Sequence, residues 1–195
     1  MNQISSISEF DLIKRLNNII IENTSHDYSS ENIIMGIGDD AAIVNPIESK
    51  NVVTTDTMVE NTHFIYDLTN FRNLGWKSLA TNYSDIAAMG CKPIHSVVNL
   101  GLRPNQKISD IEEIYLGFCE LVNEFGGSII GGDVVRSDTF FISITVTGVS
   151  ENDTILTRNK AQIGDEIFVT GNLGSSKFGL EIILNSPEDI TSDNN

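Results

Sequence analysis

The sequence predicts an α+β fold, a two-layer domain in which helices pack on a mixed sheet. Three observations carry this reading. Apolar residues recur at helical spacing in three long segments, near residues 8–22, 73–89 and 109–125. Short β-branched runs lie between them, and one, Phe140 to Val149, alternates with period two. Glycine or proline punctuates most of the junctions. The resulting order is αββαβαββ.

Each element has its own local signal. Ser8-Glu9-Phe10-Asp11 resembles a capping box, and Phe10, Ile13, Leu16 and Ile20 follow at helical spacing, so a helix is expected over Ser8 to Glu22. His26 to Glu31 is polar and reads as a loop. Ile33 to Ile37 reads as a short strand feeding Gly36-Ile37-Gly38-Asp39-Asp40, and Ala41 to Val44 as an apolar run that anchors this turn in a core. Asn51 to Asp56 reads as a central strand, and Thr57 to Phe64 as irregular. Trp76, Leu79, Ala80, Tyr83 and Ala87 share one face of a helix over residues 73–89, ended by Gly90.

His95 to Leu102 reads as a buried strand. Ser109-Asp110-Ile111-Glu112 is a second capping box. After it, Ile111, Ile114, Tyr115, Phe118, Leu121, Val122 and Phe125 form the cleanest helical stripe, closed by Gly126-Gly127. Ser128 to Gly131 reads as a short strand running into Gly132-Asp133. The pattern breaks near Ser150 to Asp153, which divides the chain into a domain over 1–150 and the start of another over 151–195. In that second unit a turn and strand are expected over Ala161 to Gly171 and a helix over Ser175 to Leu184, with a polar tail from Ser186. The unit is too short to bury a core of its own.

Composition narrows the function. A net charge of -15 argues against a nucleic-acid or anionic-membrane surface and requires bridging cations if a polyphosphate is bound. Cys91 and Cys119 lie in no metal-ligand spacing and read as thiols in a reducing compartment. The N-terminus lacks a signal-peptide pattern, and no apolar run approaches the ~20 residues of a membrane span. A soluble cytoplasmic protein is expected.

Acidic residues recur beside glycine, serine or threonine at element ends: Asp39-Asp40, Asp56 after Thr54-Thr55, Asp85 after Ser84, and Asp133 after Gly131-Gly132. Each has a plainer reading. Asp39-Asp40 suits a solvated turn and Asp56 a strand-end cap, while Gly-Gly-Asp divides between turn and site. Asp85 stands in a small, apolar helical stretch where an unpaired carboxylate is costly. Together the carboxylates are expected to converge on one metal–phosphate site, since Mg²⁺ prefers hard oxygen ligands. Thr54, Thr55 and Ser84 add neutral oxygens, and glycine N–H groups suit phosphate oxygens. Arg136 and Arg158 lie near these elements and read equally as surface ion-pair members. A lone histidine such as His63 reads as structural, and Tyr115 as core. No Walker, Rossmann or protein-kinase motif is present.

Gly36-Ile37-Gly38-Asp39-Asp40-Ala41-Ala42, Thr55-Asp56-Thr57-Met58-Val59 with His63-Phe64, Asn82 to Gly90, Gly131-Gly132-Asp133 and Leu156-Thr157-Arg158 together resemble thiamine-monophosphate kinase. The match spans almost all of residues 8 to 184. The wider superfamily is similar to aminoimidazole ribonucleotide synthetase, selenophosphate synthetase and a hydrogenase-maturation protein. The resemblance implies ATP-dependent phosphorylation of thiamine monophosphate to thiamine diphosphate, with ATP as co-substrate and more than one Mg²⁺. It implies Asp40, Thr54, Thr55, Asp56, Asp85 and Asp133 as Mg²⁺ ligands, and Tyr115, Gly132, Asp133 and Arg158 as ATP contacts. His63 is implied as a substrate contact. Asp39 and Arg136 match the motifs without a settled role.

A phosphate monoester has a second pKa near ~6, so the implied acceptor is already dianionic at neutral pH and needs no strong general base. The resemblance also implies a homodimer whose sheets pair into a β-barrel across a two-fold axis, the alternating strand over 140–149 suiting such an interface. Family members carry a complete second domain, so weak or absent turnover is expected of this chain alone. Selenophosphate synthetase is disfavoured by the lack of a reactive cysteine before a Gly-rich N-terminal segment. Aminoimidazole ribonucleotide synthetase is disfavoured by the Thr-Asp-Thr-Met-Val and His-Phe stretch. The non-enzyme alternative is a catalytically incomplete domain that binds Mg-nucleotide.

Overall fold

The computed structural model describes residues 3–25 and 32–185. The expected loop over His26 to Glu31 and the tail from Ser186 fall outside the described residues. Helix α1 (Glu9–Asn23) starts at the first capping pattern: the Asp11 N–H donates to Ser8 Oγ at 3.1 Å, satisfying one orphan donor of the first turn. Its buried stripe is Leu12, Leu16 and Ile20. Phe10, expected on that stripe, is 82% exposed, because the face turned to the neighbouring helix carries the 12-16-20 row.

Strands β1 (Ile33–Met35) and β2 (Ile43–Val44) form a two-stranded antiparallel ribbon around the 36–42 turn. Ile43 and Val44 are exposed, so the run after the turn is not anchored in the core as expected. The ribbon touches the core instead through Ile33 and through Ile37 of the turn.

The main sheet has the order β3-β6-β4-β5, formed by β3 (Asn51–Val59), β4 (Lys92–Leu102), β5 (Ser128–Arg136) and β6 (Phe141–Val149). β6 is antiparallel to both β3 and β4, and β4 is parallel to β5, so the sheet is mixed. Two strands depart from expectation. β3 continues to Val59 and is an edge strand rather than a central one, because among the described residues only β6 pairs with it. β-branched content reports a fit to a pleated surface, not rank within a sheet. β5 continues through Gly132-Asp133 to Arg136, beyond the short strand expected over Ser128 to Gly131, with a register irregularity at Ile130. β6 alternates as its sequence does, with Ile142, Ile144 and Val146 fully buried.

Helix α2 (Phe71–Ala88) is capped by Asn70, whose Oδ1 accepts from the Asn73 N–H at 3.0 Å. It buries Leu74, Leu79, Tyr83 and Ile86, while Trp76 and Ala87 of the expected face are exposed. Gly90 follows at φ +70°, which glycine adopts without penalty. Helix α3 (Ile108–Phe125) starts before Ser109, so the second capping box is not used as a cap. Its stripe is buried as expected, except Phe125 at the exposed end.

α2 and α3 pack side by side, α2 lies over β3, β4 and β6, and α1 sits against α3 and β5. The core between the layers joins Leu12, Leu16 and Ile20 of α1 to Ile111, Ile114 and Phe118 of α3, and to Val98, Leu100, Ile142 and Ile144 of the sheet. At the α2–α3 seam, a Cβ on Gly75 would lie 2.0 Å from the Ile114 carbonyl oxygen, and one on Gly117 2.0 Å from that of Arg72. The two helices therefore meet backbone to backbone.

Helix α4 (Ser175–Asn185) lies where expected. The strand expected over Ala161 to Gly171 is absent, and Ile163, Ile167 and Phe168 are exposed. A strand needs a ladder partner, and no strand of the described residues pairs with this segment.

Candidate metal and nucleotide site

Strand alternation decides which acidic motifs meet. Asp56 is in register with Ile144, and Thr54 with Val146, both fully buried partners on the helix-covered face. Thr54 and Asp56 therefore share that face at the sheet's edge, beside α2. There the Thr54 hydroxyl donates to Asp85 Oδ2 at 2.7 Å. This contact joins two motifs that lie 31 positions apart. Asp85 is exposed in the last turn of α2, not in an apolar environment, which removes the desolvation problem posed by its sequence context. A carboxylate and a hydroxyl so placed are the hard oxygen donors that Mg²⁺ prefers, so this corner fits the metal chemically.

The expected convergence of all the carboxylates does not occur. Among the described residues, no three His, Cys, Asp or Glu side chains gather as a metal-binding group. Thr55 is in register with Thr145, whose hydroxyl donates to Thr55 Oγ1 at 3.2 Å, and the Thr55 hydroxyl donates to the Ile144 carbonyl. Its side chain thus stands on the open face of the sheet. Asp133 is exposed and in register with Asn99, while its neighbour Val134 packs on the core, so Asp133 also belongs to the open face. β5 is separated from β3 by three strand spacings, roughly 14 Å. Asp39 and Asp40 are exposed in the 36–42 turn, where Asp39 Oδ1 accepts from the Asp40 N–H at 2.8 Å.

The other candidates are scattered. Tyr115 is 6% exposed and edge-to-face with Phe118, and burial pushes its phenol pKa up. It sits in the core rather than on an accessible surface. A Cβ on Gly132 would come within 2.0 Å of the Val98 carbonyl oxygen, so glycine there is required by sheet packing. His63 is exposed, and its Nδ1 accepts from the Val59 N–H at 3.1 Å. The neutral ring bonded in this way carries its proton on Nε2. Arg158 is exposed in a short 3-10 turn. Arg136 instead lines a cleft together with Ile4, Ser8 and Glu9, on β5, far from the Thr54 edge in sheet order.

One group was not anticipated from the sequence. Glu60 is buried, pairs with Arg103 at 3.0 Å and accepts from the Phe140 N–H at 3.4 Å. The Arg103 guanidinium lies 4.9 Å above the Tyr66 ring, and the Tyr66 hydroxyl donates to buried Asp110. Burial, then this bond to Asp110, drive the Tyr66 pKa up. The network ties Glu60, just before the 61–70 loop that bears His63, to Tyr66 within that loop.

The family model for the N-terminal domain of AIR synthase related proteins matches residues 38–150. The thiamine-monophosphate kinase of Bacillus subtilis is 37% identical over 180 residues, 91% of this chain and 53% of its own. That of Haemophilus influenzae is 37% identical over 191 residues, 96% of this chain and 55% of its own. The chain thus spans about half the length of the curated relatives it matches. The crystal structure of thiamine-monophosphate kinase from Stenotrophomonas maltophilia K279a superposes with a TM-score of 0.76 at 35% identity, covering 92% of this chain and 54% of that one. AaThiL complexed with AMPPCP and TMP gives 0.69 at 28% identity, covering 96% and 56%.

Proposed function

The chain belongs to the family of AIR synthase related proteins through its N-terminal domain, and we propose that it serves the ATP-dependent phosphorylation of thiamine monophosphate to thiamine diphosphate. The observation that carries this reading is the Thr54–Asp85 contact. It supplies a hard-oxygen corner in a fold shared with thiamine-monophosphate kinases. Mg²⁺ bound there supplies neutralisation of charge between two anions, the chief barrier when a dianionic phosphate attacks a triphosphate.

In this reading Asp85, Thr54 and Asp56 hold the cation. The Thr54 hydroxyl orients the Asp85 carboxylate, and the exposed Asp39-Asp40 turn adds a further carboxylate. Arg158 meets nucleotide phosphate, since a guanidinium matches paired phosphate oxygens. His63 presents Nε2–H towards the acceptor. Thr55, Asp133, Tyr115 and Gly132 enter on the resemblance alone; none of them is hydrogen-bonded to Thr54 or Asp85. A domain over 1–150 followed by the start of a second, a homodimer whose sheets pair into a β-barrel across a two-fold axis, and more than one Mg²⁺ belong to the same proposal. A cytoplasmic location belongs to the same proposal. Separately, no helix of the described residues is long and apolar enough to cross a membrane.

A second reading is favoured by one observation. Apolar residues of the 163–184 segment, including Ile163, Phe168, Phe178 and Ile182, are exposed. By this reading the chain alone binds Mg-nucleotide without turnover. Calorimetric titration with AMPPCP, with and without Mg²⁺, for wild type and Asp85→Asn, tests both. Mg²⁺-dependent binding lost in the variant supports the site, and thiamine diphosphate formation then separates the two readings. Wild-type binding that ignores Mg²⁺, or survives Asp85→Asn unchanged, overturns both.

A further inference from the structure

The segment that follows the sheet is pinned at successive points. The Ser49 hydroxyl donates to the Ser150 carbonyl at 2.8 Å, and buried Ser150 donates through Oγ to the Thr154 carbonyl at 2.8 Å. Lys50 Nζ donates to the Asp153 carbonyl at 2.7 Å. Ile155 packs on the core. The Leu156 N–H then donates to the Met89 carbonyl at 3.0 Å, one residue past the end of α2. The Leu156 side chain covers Gly90 so closely that a Cβ on Gly90 would lie 3.0 Å from Leu156 Cγ and 3.1 Å from Cδ1.

This seat lies one helical turn beyond Asp85, whose carbonyl accepts from the Met89 N–H at 3.2 Å. Arg158 follows Leu156 by two residues, about 7 Å of chain at full extension. Its turn is closed locally, by the Lys160 N–H on the Thr157 carbonyl at 3.1 Å and by Lys160 Nζ on the Ile155 carbonyl at 3.0 Å. A helix C-terminus and a carboxylate one turn back together make an electronegative corner. An arginine meant for phosphate there has to be held against the competing pull of that corner.

We propose that Gly90 and Leu156 are positioning residues: their contact fixes Arg158 beside the Asp85 end of α2, ready for nucleotide phosphate. The proposal rests on the functional reading above. It assigns Gly90 a role beyond ending a helix, since its positive φ and its bare face both serve the seat.

A double-mutant cycle tests it on the whole chain, with AMPPCP and Mg²⁺ as the probe. Leu156→Ala and Arg158→Ala are made singly and together, beside Leu180→Ala, a leucine of equal 53% exposure outside the seat. Leu156→Ala is expected to weaken AMPPCP binding at least about threefold in the wild-type background and not at all in the Arg158→Ala background, because neighbours acting through one group are not additive. Leu180→Ala leaves binding unchanged, and all four chains melt within a few degrees of one another. Equal weakening by Leu156→Ala in both backgrounds, or none in either, overturns the proposal while leaving the functional reading intact. A wild-type chain that binds no AMPPCP with Mg²⁺ overturns the functional reading and this proposal with it.

Discussion

Replacing Gly75 by alanine tests the seam on which the whole helical layer depends. The added methyl would stand 2.0 Å from the Ile114 carbonyl oxygen, 2.8 Å from its carbon and 2.9 Å from its Cα, all rigid backbone. Relief requires α2 and α3 to separate by at least about 1 Å, and a gap of that size forfeits a quarter to a half of each contact it opens. A buried side chain makes about 50 contacts worth ~0.1 kcal/mol each. If half of them face the partner helix and a quarter of those are lost, five side chains near the contact give up about 3 kcal/mol. That is the upper end of the usual overpacking range. In a chain of this length it lowers the melting temperature by roughly 6–12 °C. Gly179→Ala is the matched control, because a Cβ there meets nothing within 4 Å and alanine is the better helix former. Thermal and urea unfolding of both variants decide the matter. A Gly75→Ala melt within about 2 °C of wild type would refute the backbone-to-backbone account.

Two further outcomes follow from buried groups. Burial pushes the Cys119 thiol up to about 12, against about 8.5 in an unfolded chain. The neutral thiol is therefore favoured by folding, and its stabilisation is complete below pH ~8.5 and is lost between there and pH ~12. Urea midpoints should fall on going from pH 8 to pH 10.5 and fall less in Cys119→Ala; a Cys119→Ala chain with the same slope would refute this. Arg103→Met leaves Glu60 as an uncompensated buried carboxylate and is expected to cost about 3 kcal/mol, most of it recovered in Glu60→Gln/Arg103→Met. Denaturant titration checks both chains, and full additivity of the two changes would sink the pairing argument.

Much of the fold was legible because the signals were local. The Ser8 cap, the α3 stripe and the alternation of β6 depend on residues a few positions apart, and physics at that range is visible in a string of letters. Rank in the sheet was not legible, since β3 carries the composition of an inner strand yet has one neighbour. The site divided in the same way. Residue types and the Asp85 motif were readable, but adjacent Thr54 and Thr55 were grouped although a strand sends them to opposite faces. Asp133 was drawn towards Asp85 by its glycine-rich context, which proved to reflect the close approach of Val98 to Gly132. The Glu60–Arg103–Tyr66 group depended on contacts between segments dozens of residues apart, beyond any local pattern.

The place of β6 between β3 and β4 bears on how the chain is made. It is the last strand in sequence and an inner one, and its pairs with β3 join residues 82 to 98 positions apart. A ribosome delivers β3, α2, β4, α3 and β5 before the strand that links the two halves of the sheet. Until then β4 and β5 can form a parallel unit with α3, while β3 waits with both ladders open. Long-range closure of this kind is slow, and the waiting edge is open to pairing with other chains. The time that synthesis takes from Val59 to Val149 thus adds to how long a nascent copy remains vulnerable to aggregation.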